Sequence, residues 1–119
     1  MKEKKDYTII TKAICYNSYV RKYIVNNIPK IHNDLRIHLL DEGYRLLKLL
    51  YLSGYNKGNI RMKYLVELKV NISLLDTLTS SIRELDCVSN KYLNTSVGML
   101  TDIKNIVYGW ILNEEARKN

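Results

Sequence analysis

Leu65-Val66-Glu67-Leu68-Lys69-Val70-Asn71-Ile72-Ser73-Leu74-Leu75-Asp76-Thr77-Leu78-Thr79-Ser80-Ser81-Ile82-Arg83-Glu84-Leu85 decides the fold class. Leu65, Leu68, Ile72, Leu75, Ile82 and Leu85 recur at steps of three and four, and Thr79 fills the one position that an aliphatic residue leaves open. A period near 3.5 held over this many turns draws one apolar stripe along a helix. A strand would alternate with period two.

The same periodicity extends in both directions along the chain. Upstream, Ile9, Ala13, Tyr16, Val20 and Ile24 form one series, and Leu35, Leu39, Leu46 and Leu50 form another. Downstream, Leu93, Val97, Leu100, Ile103, Val107 and Trp110 share a stripe. Three breaks separate these series. Asn26-Asn27-Ile28-Pro29 holds the only proline, which keeps the residue before it out of the helical region. Gly54-Tyr55-Asn56-Lys57-Gly58-Asn59 is rich in turn formers, and Asp86-Cys87-Val88-Ser89 ends in a residue suited to cap the next helix. The reading predicts helices over about 7–25, 31–53, 60–85 and 90–116 in a single domain spanning 1–119. Short connections favour antiparallel neighbours, so the expected fold is all-α, an up-down-up-down four-helix bundle.

Composition agrees. The 119 residues are 46% hydrophobic, enough for one core, and Gly 5 with Pro 1 argues against a turn-dense all-β fold. The second helix is apolar around most of its girth, because Leu40, Leu47, Leu49 and Leu52 add a second side to its stripe. The third has a milder excess in Val66, Leu74 and Leu78. A small bundle does not need that much apolar surface, so either this helix sits deeper than its neighbours or its leucine-rich second side meets another copy of the chain, the second being the expectation.

Charge is the second informative feature. The net charge is +7 and the pI near 9.4, which suits a polyanionic partner. Residues 1–69 hold 14 basic and 6 acidic side chains, whereas residues 70–119 hold 5 and 6, so one charged face is expected. Arg21, Lys22 and Lys30 are predicted near one end of the bundle, and Lys57, Arg61 and Lys63 near the other. Arg36 lies on helix two with Arg45 and Lys48, and Arg45, Lys48 and Lys69 would link the two ends. Such a surface suits contact with backbone phosphates without base reading. Tyr44, Tyr51, Tyr55 and Tyr64 interleave with these cations; packing is the expected role of each, and base stacking the alternative.

No constellation for chemistry emerges. His32 and His38 stand six apart, which does not bring both to one metal from one helix, and neither His-Glu-x-x-His nor Glu-x-x-His occurs. Asp41-Glu42 reads as a solvated acidic pair. Gly54 and Gly58 are not closed by the Gly-Lys-Ser/Thr of a phosphate loop. Cys15 and Cys87 lack metal-type spacing and read as reduced core residues. No apolar export segment follows the charged residues 1–6, and no stretch approaches the length of a membrane span. The expectation is a cytoplasmic protein that is not an enzyme and uses no metal or cofactor.

Leu74-Leu75-Asp76-Thr77-Leu78, Ile82-Arg83-Glu84-Leu85, Val88-Ser89-Asn90-Lys91-Tyr92 and Asp102-Ile103-Lys104-Asn105-Ile106-Val107-Tyr108-Gly109-Trp110-Ile111, in that order and spacing, resemble the accessory variability determinant of diversity-generating retroelements. Ile28-Pro29-Lys30, Leu35-Arg36 and Gly54-Tyr55 resemble the matching upstream parts, so the likeness covers roughly residues 16–112. The chain is similar also to the four-helix proteins encoded in 23S rRNA intervening sequences; Gly109-Trp110-Ile111 favours the retroelement branch. The resemblance implies a bundle assembled as a ring-shaped homopentamer. It also implies a basic surface that binds reverse transcriptase and nucleic acid, supporting mutagenic copying of template RNA into cDNA without an active site. The chain departs from the family in having Lys104-Asn105 where Gly-Arg is usual, and Thr77, Thr79, Ser80 and Ser81 where arginines are common. Arg83 and Lys104 would keep part of that charge. The alternative implied by the second branch is a structural or adaptor module.

Overall fold

The computed structural model describes residues 4–117, and all of its regular structure is helical. Four long helices carry the fold: α1 (Lys4–Tyr19), α2 (Asn33–Tyr55), α3 (Gly58–Leu85) and α4 (Asn90–Arg117). Each packs against its neighbours in the chain, and α1 closes the ring against α4. The contacts run antiparallel. Arg61 at the start of α3 meets Glu114 near the end of α4, Asp76 meets Lys104, and Arg83 meets Asn90 and Asn94.

α1 continues into a π turn (Val20–Ile24), closed by the Val25 N–H on the Val20 carbonyl, and then a 3₁₀ turn (Val25–Asn27). The wider turn takes up one extra residue, so Val20, Ile24 and Val25 are all buried where a regular helix would turn one of them out. The Asn26 and Asn27 side-chain amides donate back to the Lys22 and Tyr23 carbonyls at 3.3 and 2.7 Å. These bonds satisfy acceptors left open by the ending helix. Ile28 and Pro29 are extended, as the proline requires, and a 3₁₀ turn (Lys30–His32) leads into α2.

The second break is shorter than its sequence suggests. α2 runs through Gly54 to Tyr55, and only Asn56 and Lys57 separate it from α3. Glycine costs a helix about 1 kcal/mol, which burial of the Leu49 and Leu50 side chains in the preceding turn outweighs. Gly58 supplies the tight corner with φ +61°. At the third break Asp86 takes the left-handed conformation, and the Ser89 hydroxyl accepts the Lys91 N–H at 3.3 Å, the expected cap.

The core is built from the four stripes. Ile9, Ala13, Tyr16, Val20 and Ile24 are buried against Leu39, Leu46 and Leu50, against Leu65, Leu68, Ile72, Leu75 and Ile82, and against Leu93, Leu100, Ile103, Val107 and Trp110. Leu85 falls outside; it lies exposed at the end of α3. Cys15 is exposed and Cys87 half-buried, so Cys15 is not the core residue expected. The leucine-rich second side of α2 is partly covered within the chain. Leu49 is buried, and Leu40, Leu47 and Leu52 are half-buried against the core. An aliphatic row stays open on α3, at Val66, Val70 and Leu74.

Polar groups also enter the interior. Asn17 Nδ2 donates to the Gly43 carbonyl at 2.9 Å, and a Cβ on Gly43 would stand 2.6 Å from Asn17 Oδ1, so glycine sets how closely α1 and α2 approach. Asn71 donates to both the Glu42 carbonyl and its carboxylate. Glu42 is thus a helix-linking group, not part of a solvated acidic pair; only Asp41 is exposed. The Tyr16 hydroxyl is buried without a hydrogen-bond partner, and burial, aided by Asp76, raises its pKa well above the ordinary tyrosine value. The folded state therefore holds this proton while the unfolded chain loses it above pH ~10, so stability falls as pH rises past that point. Tyr16→Phe is expected to stabilise the fold by about 1 kcal/mol near neutral pH and to flatten its alkaline decline, measured by urea unfolding at pH 7 and 10.5.

Candidate nucleic-acid interface

The cations proposed from sequence divide by their surroundings. Arg21 and Lys22 are exposed on the π turn, Lys30 on the following 3₁₀ turn, and Lys57 in the corner between α2 and α3. Arg45 and Lys48 are exposed on α2, and Arg36 is half-buried near its start. None of these seven pairs with a carboxylate among the described residues. Two are oriented by rings: Arg21 donates to the Tyr44 hydroxyl at 2.6 Å, and Lys22 Nζ lies 5.2 Å from the Tyr23 ring centre. Arg21 stands in the groove between α1 and α2 beside Tyr44, whereas Lys57 lies in the corner between α2 and α3.

The remaining five are placed differently. Arg61 is turned into the bundle end. Its guanidinium lies 4.9 Å from the Trp110 ring centre, and Nε is 3.6 Å from the buried Glu114 carboxylate. It thus joins the start of α3 to the end of α4 and is not openly exposed as the expected phosphate contact would be. Lys104 is paired with Asp76 at 3.6 Å. Lys69 is exposed but lies over Tyr108 of α4 at 5.5 Å, so it belongs to the α3–α4 seam and does not link Arg45 and Lys48 as expected. Arg83 ties α3 to α4 through the Asn90 and Asn94 side-chain oxygens, at 3.0 and 2.9 Å. Lys63 is exposed beside the Tyr64 ring.

The tyrosines likewise divide. Tyr64 is half-buried against the core, as packing predicts, but Tyr44, Tyr51 and Tyr55 are exposed. A further cluster escaped the sequence reading. Tyr19 and Tyr23, one turn apart, meet Tyr92 of the first turn of α4, and the Tyr23 and Tyr92 rings are stacked at 4.9 Å. Their four-residue spacing was the visible signal; the third ring is distant in sequence. This cluster fastens the end of α1 to α4.

Among the described residues, no three of His, Cys, Asp and Glu are grouped to hold a metal ion, and no helix is long and apolar enough to cross a membrane. A shallow recess between α1 and α2 is lined by Asn17, Val20, Arg21, Leu39, Leu40 and Tyr44. Comparison of the chain with family models, curated proteins and solved structures gives no match.

Proposed function

We propose that this chain is a non-catalytic, cytoplasmic accessory protein that binds nucleic acid through the α1–α2 side of its bundle. In the role implied by its resemblance to the retroelement accessory family, it partners a reverse transcriptase during mutagenic copying of RNA into cDNA. The observation that carries the reading is the unneutralised run of Arg21, Lys22, Lys30, Arg45, Lys48 and Lys57, all exposed and none paired with a described carboxylate. Phosphates would release counterions on meeting it, which makes affinity strongly dependent on salt. Anisotropy titrations of a labelled RNA oligonucleotide at rising salt test this: tight binding at low salt that weakens linearly on a log–log scale supports it. Absent binding at low salt, or binding indifferent to salt, rejects it. Co-purification with a reverse transcriptase tests the partner.

Assembly into a homo-oligomer, a pentameric ring in the family, draws support from the exposed row Val66, Val70 and Leu74 on α3. The same row supports the second reading, an adaptor module of the intervening-sequence type whose main contact is with protein. Light scattering distinguishes an assembly from a particle of 14.0 kDa.

A further inference from the structure

We propose that the outward face of α2 over residues 44–55 binds nucleic acid as a single strand, with tyrosine rings stacking on unpaired bases while neighbouring cations hold the phosphates. This rests on the nucleic-acid reading above and adds the strand state and the groups that select it.

Tyr44, Lys48, Tyr51 and Tyr55 are spaced four, three and four residues apart, which puts them on one helix face. All four are exposed; the tyrosines keep 58%, 39% and 68% of their surface open to solvent. The face is about 16 Å long at 1.5 Å per residue, enough for a short run of nucleotides. Its rings make contacts without being buried. The Tyr51 and Tyr55 rings are nearly parallel, 12° apart with centres 6.3 Å apart, and the Arg21 guanidinium holds the Tyr44 hydroxyl from the neighbouring helix. A 6.3 Å separation lies at the wide end of aromatic pairing, so neither ring fully covers the other.

The charge around the rings has one sign. Arg45, Lys48 and Lys57 lie within or beside the face, and no Asp or Glu occurs in the sequence between Glu42 and Glu67. Towards the start of α2 the exposed Asp41 ends the cationic run. An apolar protein partner would have to strip water from Lys48 and Arg45 without offering counter-charges, which is costly. A duplex would offer phosphates but keep its bases stacked on one another, leaving the three rings unused. A single strand supplies both base faces and phosphates, the combination used by sequence-tolerant single-strand binders.

The test uses the whole chain, a fluorescein-labelled 20-nucleotide RNA without internal pairing, and the same RNA annealed to its complement. The variants are Tyr51→Leu/Tyr55→Leu and Tyr51→Phe/Tyr55→Phe, each confirmed as folded by its helical circular dichroism and melting. Wild type is expected to prefer the single strand. The leucine pair is expected to lose at least ~10-fold in single-strand affinity with duplex affinity and salt slope unchanged, since stacking contributes about 1–3 kcal/mol per base. The phenylalanine pair should retain wild-type binding. If the leucine pair binds the single strand as wild type does, or weakens both substrates alike, the stacking face is overturned while the phosphate reading stands. If wild type binds neither substrate at low salt, both readings fall.

Discussion

Glu114→Ala is expected to lower stability by about 3 kcal/mol, although the residue lies only a turn from the end of α4. The Glu114 side chain retains 5% of its exposure and stands between Arg61, at 18%, and Arg117, at 71%. The Arg61 guanidinium is covered by the Trp110 ring, and its Nε has no hydrogen-bond acceptor, only the carboxylate at 3.6 Å. Removing that carboxylate leaves a largely buried cation with no counter-charge, the situation in which loss of one ion-pair partner is most costly. The exposed Arg117 contributes little, so Arg117→Ala should stay within about 0.5 kcal/mol of wild type. Replacing the pair by apolar groups, Arg61→Met with Glu114→Leu, should recover most of the loss. Urea unfolding followed by circular dichroism measures all three. A change below about 1 kcal/mol for Glu114→Ala would show that the clasp between the first turn of α3 and the last turns of α4 does not hold that end together.

Asn71→Ala is the second large effect, expected at about 2–3 kcal/mol. Asn71 is buried in mid-helix, and its Nδ2 donates to the Glu42 carbonyl at 3.0 Å and to Oε1 at 2.9 Å. Alanine removes both bonds, leaves a half-buried carboxylate without its donor, and opens a small void between α2 and α3. Asn71→Leu refills the void and restores no bond, so it should recover only part of the loss. A double-mutant cycle with Glu42→Ala separates the side-chain contact from the backbone one. Additive losses would show that the amide and the carboxylate are not coupled across the helices.

The helices were legible because their stripes are local: Leu65 to Ile82 at steps of three and four, Pro29 as a stop and Ser89 as a cap are all decided within a few residues. What was not legible depends on neighbours distant in sequence. Gly54 and Tyr55 look like loop residues until the burial of Leu49 and Leu50 in the preceding turn shows α2 held by its packing. Leu40 and Leu47 look like surplus until the folded core is seen to pack against one side of each. The charged candidates follow the same rule. Periodicity places Arg61 near the end of the bundle, but only the return of α4 brings Glu114 and Trp110 to it. Lys69 and Arg45 share an approximate height, yet Tyr108 shows Lys69 to be on another side. Conversely, an aromatic residue at helical spacing usually belongs to a core, so the sequence points the tyrosines of α2 to packing; their exposure is a property of the assembled bundle.

The claim on which the rest depends is that nucleic acid meets the α1–α2 side and not the seam between α3 and α4. Its most direct test compares the salt dependence of RNA binding for wild type, for Arg45→Gln/Lys48→Gln/Lys57→Gln, and for Lys69→Gln/Lys104→Gln. Each lost phosphate contact lowers the slope by about 0.7 for a single strand, so the first variant should lose about 2 from its slope and the second should match wild type. An unchanged slope in the α2 variant, or a loss in the seam variant as large, would contradict the account.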